Sequence, residues 1–346
     1  MNKPIGWDIG GAHLKAVRLD ATGKVLAVRQ VYCPLWRGLH ELDAAIDTVL
    51  SEFNINAHVA AQFVTMTGEL ADIFPNRSAG VMQIAQLAAQ KLSGKVMFYA
   101  GEKGFVTLDA VAAHTSNIAS MNWLASVQFV AQKTHQALFL DIGSTTTDIA
   151  LIRNSKPYLL GVNDAARMQT DELVYSGVVR TPLMALAQKI IFNGNLVNVA
   201  AEHFATTSDV YTLTADLALA ENMAETADGA DKSIEASARR IARMVGLDAE
   251  DAPLGVWRNL AFAFKQTQLN QLKQAVLRQS SRLEDYRDLL IVGCGVGDFL
   301  ACELANQLGF KYASVTDFIS AKSDGLRNSA AVCFPAYAVA NLGAQC

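Results

Sequence analysis

Asp8 and Asp141 carry the clearest chemistry in this sequence. Asp141 lies in Leu138-Phe139-Leu140-Asp141-Ile142-Gly143-Ser144-Thr145-Thr146-Thr147-Asp148, a small polar turn between two apolar runs. A carboxylate at a strand end can hold a divalent cation, directly or through water. Gly143 lets the backbone bend close to a ligand. Ser144, Thr145 and Thr146 add hydroxyls and backbone N–H groups, a concavity suited to phosphate oxygens. The same pattern opens the chain as Ile5-Gly6-Trp7-Asp8-Ile9-Gly10-Gly11-Ala12-His13-Leu14-Lys15. Asp8 aligns with Asp141, Gly10 with Gly143, Gly11 with Ser144 and Lys15 with Asp148, without a gap. Gly10, Gly11, Ala12 and His13 then form a second phosphate-cradling turn. Lys15 is either a charge partner for the anion or an outward lysine on a strand. Two such hairpins would place two carboxylates and two glycine turns around one cleft. The bland alternative is two unrelated hairpins whose aspartates cap turns.

A third glycine turn, Gly293-Cys294-Gly295-Val296-Gly297-Asp298, follows the apolar run Asp288–Val292 and precedes a helix pattern at Phe299–Leu308. Strand, glycine turn and helix make an anion or nucleotide site at a helix N-terminus.

The elements that must position these residues alternate in type. Ile5–Ile9, Leu14–Leu19 and Val25–Val31 read as strands. Leu42, Ile46, Val49, Leu50 and Phe53 share one face of a helix. His58–Thr65 is a strand running into Thr67-Gly68-Glu69, where open α/β sheets place their sites. Glu69 is therefore a substrate-binding candidate, or a helix N-terminal acid favoured by the dipole. A helix with Val81, Ile84 and Leu87 inward and a strand at Lys95–Ala100 follow. Asp109–His114 and Ala119–Gln132 read as helices, the second carrying Asn122-Trp123. The second half repeats the entry, with Lys156–Val162 as its third strand. A helical insertion from about 163 to 286 breaks the symmetry. Polar side chains crowd two of its segments, around Tyr175 to Arg180 and Thr206 to Asp209, as the lining of a polar ligand would. Tyr175, Arg180, Thr206 and Asp209 are the substrate-binding candidates there, against ordinary loop chemistry. Ala330–Leu342 is an apolar terminal helix. The expected architecture is α/β, with lobes at 1–135 and 136–346.

Paired Asp-Ile-Gly hairpins of this kind resemble the actin, sugar kinase and Hsp70 superfamily. The resemblance implies two RNase H-like lobes, each opening with such a hairpin, and a nucleotide or phosphate between them. It also places the adenosine-binding turn at Gly293, Gly295 and Gly297. Cys294 stands where that turn usually has its second glycine, which counts against adenine. Within the superfamily, four segments are similar to the hydantoinase/oxoprolinase branch, in its short subfamily linked to tetrahydromethanopterin-dependent one-carbon metabolism. They are Trp7–Ala12, Thr67–Asp72, Leu173–Pro182 and Phe204–Tyr211. The resemblance implies a synthase of methanofuran or methylofuran biosynthesis. Such an enzyme joins a furanmethyl diphosphate to the phenol of a γ-glutamyl-tyramine or tyrosine-type acceptor and releases diphosphate. Asp8 and Asp141 would then hold Mg²⁺ and activate the acceptor, and the glycine turns would cradle diphosphate. An ATP-dependent small-molecule kinase of the same fold and a non-catalytic nucleotide-binding assembly factor remain the alternatives, with ATP left open.

The bulk numbers agree with an enzyme of small molecules. The chain has 346 residues, 51% apolar and 18% charged, enough for two cores. A net charge of −4 without a basic block speaks against a nucleic-acid partner. No apolar run reaches membrane-span length, and the start lacks a signal peptide's long apolar segment. Five cysteines without a C-x-x-C pair point to free thiols in a reducing cytoplasm. Six histidines show no metal-ligand spacing. A homo-oligomer is left open.

Overall fold

The computed structural model describes residues 4–53, 61–92, 94–218, 222 and 224–346. The chain divides into two compact units. One comprises Met1–His135, Ile152–Pro157 and Ser314–Cys346, the other Gln136–Leu151 and Tyr158–Ala313.

The first unit opens with strands β1 (Ile5–Ile9), β2 (His13–Leu19) and β3 (Val25–Tyr32). Helix α1 (Leu39–Glu52) and strand β4 (Ala61–Met66) follow, then helix α2 (Arg77–Lys91), strand β5 (Lys95–Tyr99) and the short β6 (Phe105–Val106). The expected strand from His58 begins outside the described residues. Helices α3 (Leu108–Val111), α4 (Thr115–Ile118) and α5 (Asn122–Ala131) complete the run. The strands form one sheet in the order β3-β2-β1-β4-β5-β6. β2 pairs antiparallel to β1, whereas β4 runs parallel to it. Trp7 and Ile9 pack with Leu42, Ile46 and Val49 of α1 and Val81 and Ile84 of α2, as the helical spacing requires. Asn76 starts α2 by accepting the Ala79 N–H at 2.9 Å.

The second unit opens with β7 (Gln136–Ile142) and β8 (Thr147–Arg153), then the short β9 (Lys156–Pro157). Its insertion holds α6 (Asp164–Gln169), β10 (Leu173–Val174), α7 (Leu183–Leu186) and the hairpin β11 (Lys189–Phe192) and β12 (Asn195–Asn198). Helices α8 (Thr207–Leu213), α9 (Ile234–Arg243) and the long α10 (Leu254–Ser280) follow, then β13 (Leu290–Cys294), α11 (Asp298–Leu308) and β14 (Lys311–Ser314). The sheet order is β10-β8-β7-β13-β14, with β9 attached to β8. In both sheets the second strand lies between the first and the third, and the later strands extend the sheet on the first strand's other side. That is the RNase H-like order the two hairpins imply. The expected third strand at Lys156–Val162 is cut to two residues. The Tyr158 N–H still follows β8, donating to the Leu151 carbonyl at 2.7 Å, but the Leu160 and Gly161 N–H groups donate instead to the Glu172 carboxylate, at 2.8 and 2.7 Å. β10 takes the outer place beside β8.

The chain's end forms α12 (Asp324–Val332) and α13 (Phe334–Gly343), two helices where the sequence suggests one. The break falls at Cys333, with Pro335 at the start of α13, where its missing N–H costs nothing. α13 is buried almost throughout its length and needs an apolar sheet face. It finds that face on β1, where Gly6 permits a close approach. A Cβ on Gly6 would stand 1.9 Å from the Ala336 carbonyl oxygen. The terminal segment after 314 thus belongs to the first unit, whereas the sequence boundaries assign everything after 136 to the second.

Candidate active site

The two hairpin turns share their backbone hydrogen bonding. The Gly10 N–H donates to the His13 carbonyl at 3.0 Å, and the Gly143 N–H to the Thr146 carbonyl at 2.8 Å. These are equivalent positions in the gapless alignment.

In the first unit, Asp8 stands opposite Lys15 across β1 and β2, so their side chains share one sheet face. That face also carries Gly6 and receives α13. Asp8 is only 4% exposed. The Asn122 amide at the start of α5 is 3.5 Å from Asp8 Oδ1. Asn122 Oδ1 accepts the Trp123 N–H at 2.7 Å, which leaves Nδ2 to face the carboxylate. Lys15 Nζ donates to the Val332 carbonyl at 3.1 Å, so this lysine caps the C-terminus of α12. Burial pushes the neighbouring Cys333 thiol up to about 12, with Lys15 opposing and Asp8 reinforcing the shift.

Other candidates of the first unit lie nearby. Gly68, just past β4, abuts the first turn: a Cβ there would be 3.2 Å from the Ile9 and 3.3 Å from the Gly10 carbonyl oxygen. Glu69 is 1% exposed and accepts a 2.6 Å hydrogen bond from Ser120 Oγ. The backbone of Gly80 in α2 presses against it, since a Cβ there would meet Glu69 within 2.9 Å. Glu69 therefore sits inside the unit, behind the turn. His13 packs edge-on to Tyr32 at 5.9 Å, and Tyr32 in turn to Trp36 at 6.4 Å.

In the second unit, Asp141 is half-buried at the end of β7, and Cys294 is its register partner on β13. The glycine turn after β13 is shaped by this neighbour. A Cβ on Gly295, at φ +83°, would be 2.5 Å from Asp141 Oδ1. Gly297 faces the Ile142 side chain, and its N–H donates to the Ile142 carbonyl at 2.8 Å. Gly293 lies against Asp298, whose carboxylate accepts the Tyr312 hydroxyl at 2.6 Å. Close packing within the unit thus accounts for all three glycines.

The segment Gly177–Arg180 lies along the turn. The Val178 N–H donates to the Gly143 carbonyl at 3.0 Å, and the Val179 and Arg180 N–H groups to the Ser144 carbonyl at 3.0 and 2.8 Å. Asp148, the counterpart of Lys15, accepts from Arg167 at 2.8 Å. Burial pushes the Asp148 carboxyl above the usual range against the pull of Arg167.

The remaining candidates divide. Tyr175 and Arg180 are exposed near the turn. Thr206 and Asp209 form the capping box of α8, with the Thr206 N–H donating to Asp209 at 3.0 Å. Arg240 donates to the other Asp209 oxygen at 2.7 Å, inside the unit. Burial raises the Asp209 pKa, opposed by Arg240. Asp209 is thus occupied by its own fold. One feature escapes the sequence reading: Gln268 on α10, which reaches back to Ser176 and Gly177 and which nothing in its local pattern marks. The segment Gly177–Arg180 stands out in the sequence for its polar residues, and the structure makes it a strap along the Asp141 turn.

Among the described residues, no three His, Cys, Asp or Glu side chains group as a metal cage. Mg²⁺ does not require one, because it keeps several waters and binds through one or two carboxylates plus phosphate oxygens. Asp141, partly buried beside a turn suited to anions, fits that donor set. Among the described residues no helix is long and apolar enough to cross a membrane.

Comparison with known proteins places the chain. Residues 61–326 match the hydantoinase/oxoprolinase family. The chain is 32% identical over 247 residues to the (4-{4-[2-(gamma-L-glutamylamino)ethyl]phenoxymethyl}furan-2-yl)methanamine synthase of Methanocaldococcus jannaschii, covering 71% of this chain and 72% of that protein. It is 28% identical over 169 residues to the synthase of the same name from Methanococcus vannielii, covering 49% of this chain and 75% of that protein. Among solved structures, nucleotide-free acetone carboxylase matches with a TM-score of 0.56 at 12% identity, over 89% of this chain and 67% of that one. That likeness is one of fold. By sequence, this chain belongs to the hydantoinase/oxoprolinase family.

Proposed function

We propose that this protein is a transferase of methanofuran or methylofuran biosynthesis, acting in the cytoplasm. It joins a furanmethyl diphosphate bearing an aminomethyl group to the phenol of a γ-glutamyl-tyramine or tyrosine-type acceptor and releases diphosphate. The observation that carries this reading is the 32% identity over 247 residues to a synthase whose name describes such a phenoxymethyl-furan product.

The chemistry suits the residues. The bond from the furan methylene carbon to the diphosphate oxygen breaks, and diphosphate leaves with the electron pair. The phenol oxygen forms the new ether bond to that carbon. The phenol, with an ordinary pKa of about 10, must lose its proton as it attacks. Asp8 is the acceptor for that proton in this reading, with the Asn122 amide facing one of its oxygens. Asp141 would hold Mg²⁺. Bound Mg²⁺ supplies charge neutralisation to the leaving diphosphate. A carboxylate beside an anion cradle would repel diphosphate unless a cation stood with them, which is the physical case for the metal.

Lys15 holds the hairpin beside Asp8 through its bond to the Val332 carbonyl at the end of α12. The test is direct. The purified protein, Mg²⁺ and the two substrates should yield the ether, identified by mass spectrometry. A failure to form it with either acceptor type would overturn the reading.

A further inference from the structure

Resting on the transferase reading, the structure also bears on which turn seats the diphosphate. The two turns share a backbone device. In each unit the chain beyond the third strand ties down the turn's carbonyls. In the first unit the Leu35 and Cys33 N–H groups donate to the Gly11 and Ala12 carbonyls at 3.0 and 2.9 Å. In the second, Val178 ties Gly143, and Val179 and Arg180 tie Ser144. No cis peptide occurs among the described residues. In a trans peptide the N–H points opposite to the carbonyl before it. The ties therefore aim the Ala12 and His13 amides away from the first strap, and the Ser144 and Thr145 amides away from the second. Successive amides aimed one way form a small anion nest.

The surroundings differ. The first turn carries no hydroxyl at Gly11 or Ala12 and is flanked by the rings of His13, Tyr32 and Trp36. Arg37, beyond its strap, has an interaction of its own. The second turn brings the Ser144 and Thr145 hydroxyls within 3.5 Å of each other. Its strap ends in Arg180, exposed and, among the described residues, without a side-chain partner. A guanidinium with spare donors is the side chain best matched to phosphate oxygens.

The second strap is also held rigidly from behind. Gln268 is fully buried; its Nε2 donates to the Gly177 carbonyl and to Ser176 Oγ, both at 2.9 Å. Tyr211 Oη donates to Gln268 Oε1, which fixes the amide's orientation. Thr207 Oγ1 donates to the same Gly177 carbonyl at 2.9 Å, and Thr147 Oγ1 to the Ser176 carbonyl at 2.6 Å.

We propose that the second turn alone seats the diphosphate, through the Ser144 and Thr145 amides and the Arg180 guanidinium, with Gln268 as the positioning residue of the strap. The probe is inorganic diphosphate with Mg²⁺, titrated calorimetrically into the full chain. Arg180→Ala, a surface change that leaves the fold intact, weakens binding about tenfold or more, and Gln268→Leu does likewise through the misplaced strap. Tyr211→Phe, which removes one hydrogen bond behind Gln268, gives a smaller loss. Arg287→Ala, at an exposed arginine paired with Asp285, leaves binding unchanged. In turnover, KM for the furanmethyl diphosphate rises in Arg180→Ala and Gln268→Leu while KM for the phenol stays. Wild-type protein that binds no diphosphate, or an Arg180→Ala protein with wild-type affinity, overturns the proposal. So does a Gln268→Leu protein that melts earlier but binds diphosphate normally. Diphosphate binding with these losses but no ether product would keep the seat and remove the transferase reading; ether formation by Arg180→Ala at unchanged KM would do the reverse.

Discussion

A Cβ on Gly177 would stand 2.5 Å from the Ser144 carbonyl carbon and from the Thr145 nitrogen, so Gly177→Ala must push the strap off the turn. Overpacking of this kind costs about 1–3 kcal/mol. The variant should lose that much stability in a denaturant melt and nearly all turnover, and retention of both would refute the strap's role. Asp141→Asn keeps the shape of the side chain and removes its charge. In the transferase reading it lowers turnover about a hundredfold or more, a plausible scale for losing one electrostatic group of the site. Steady-state rates with the natural substrate pair check this, and intact turnover would sink the assignment. At this scale the sequence was legible where a pattern was local. Asp8, Asp141 and both turns stand out because Asp-Ile-Gly between apolar runs repeats. Thr206 and Asp209 stood out as polar residues in an apolar chain, but the capping box they form at the start of α8 was not read from the sequence. Gln268 was not, because its partners Ser176 and Gly177 lie far away in sequence.

At the scale of elements, α8 and α9 are joined by the buried pair of Asp209 and Arg240. Removing one partner strands a buried charge, which costs about 3–5 kcal/mol. Asp228 also accepts from Arg240, so Asp209→Ala should fall near the lower end, about 3 kcal/mol by chemical denaturation. A loss below about 1 kcal/mol, the range of exposed pairs, would mean the pair is solvated. The hairpins and long helices of both sheets were readable from period and turn chemistry. The third strand of the second unit was not. Lys156–Val162 has strand-like residues, but the Glu172 carboxylate takes the Leu160 and Gly161 N–H groups away from the ladder. The terminal helix was visible as apolar sequence, but its partner was not. Its place on β1 depends on the space at Gly6, a contact between opposite ends of the chain.

For the whole molecule, buried thiols report the integrity of the first unit. Burial raises Cys33 to about 12 and Cys333 to about 12, from an ordinary 9.0. A raised pKa means the folded protein holds these protons more tightly than the unfolded chain. The resulting stability is complete below pH 9.0 and is lost as pH climbs through about 12. At pH 8, iodoacetamide should modify the exposed Cys346 in the native protein and spare Cys33 and Cys333 until it unfolds. Peptide mass mapping checks this, and early labelling of Cys333 would contradict the packing of α12 and α13. The most direct test of the central claim is diphosphate release, measured with Mg²⁺, the furanmethyl diphosphate and the phenolic acceptor, with and without ATP. The transferase account predicts release of one diphosphate per ether formed, at the same rate without ATP. ADP formation with no diphosphate released from the furan substrate would contradict it and return this fold to phosphoryl transfer.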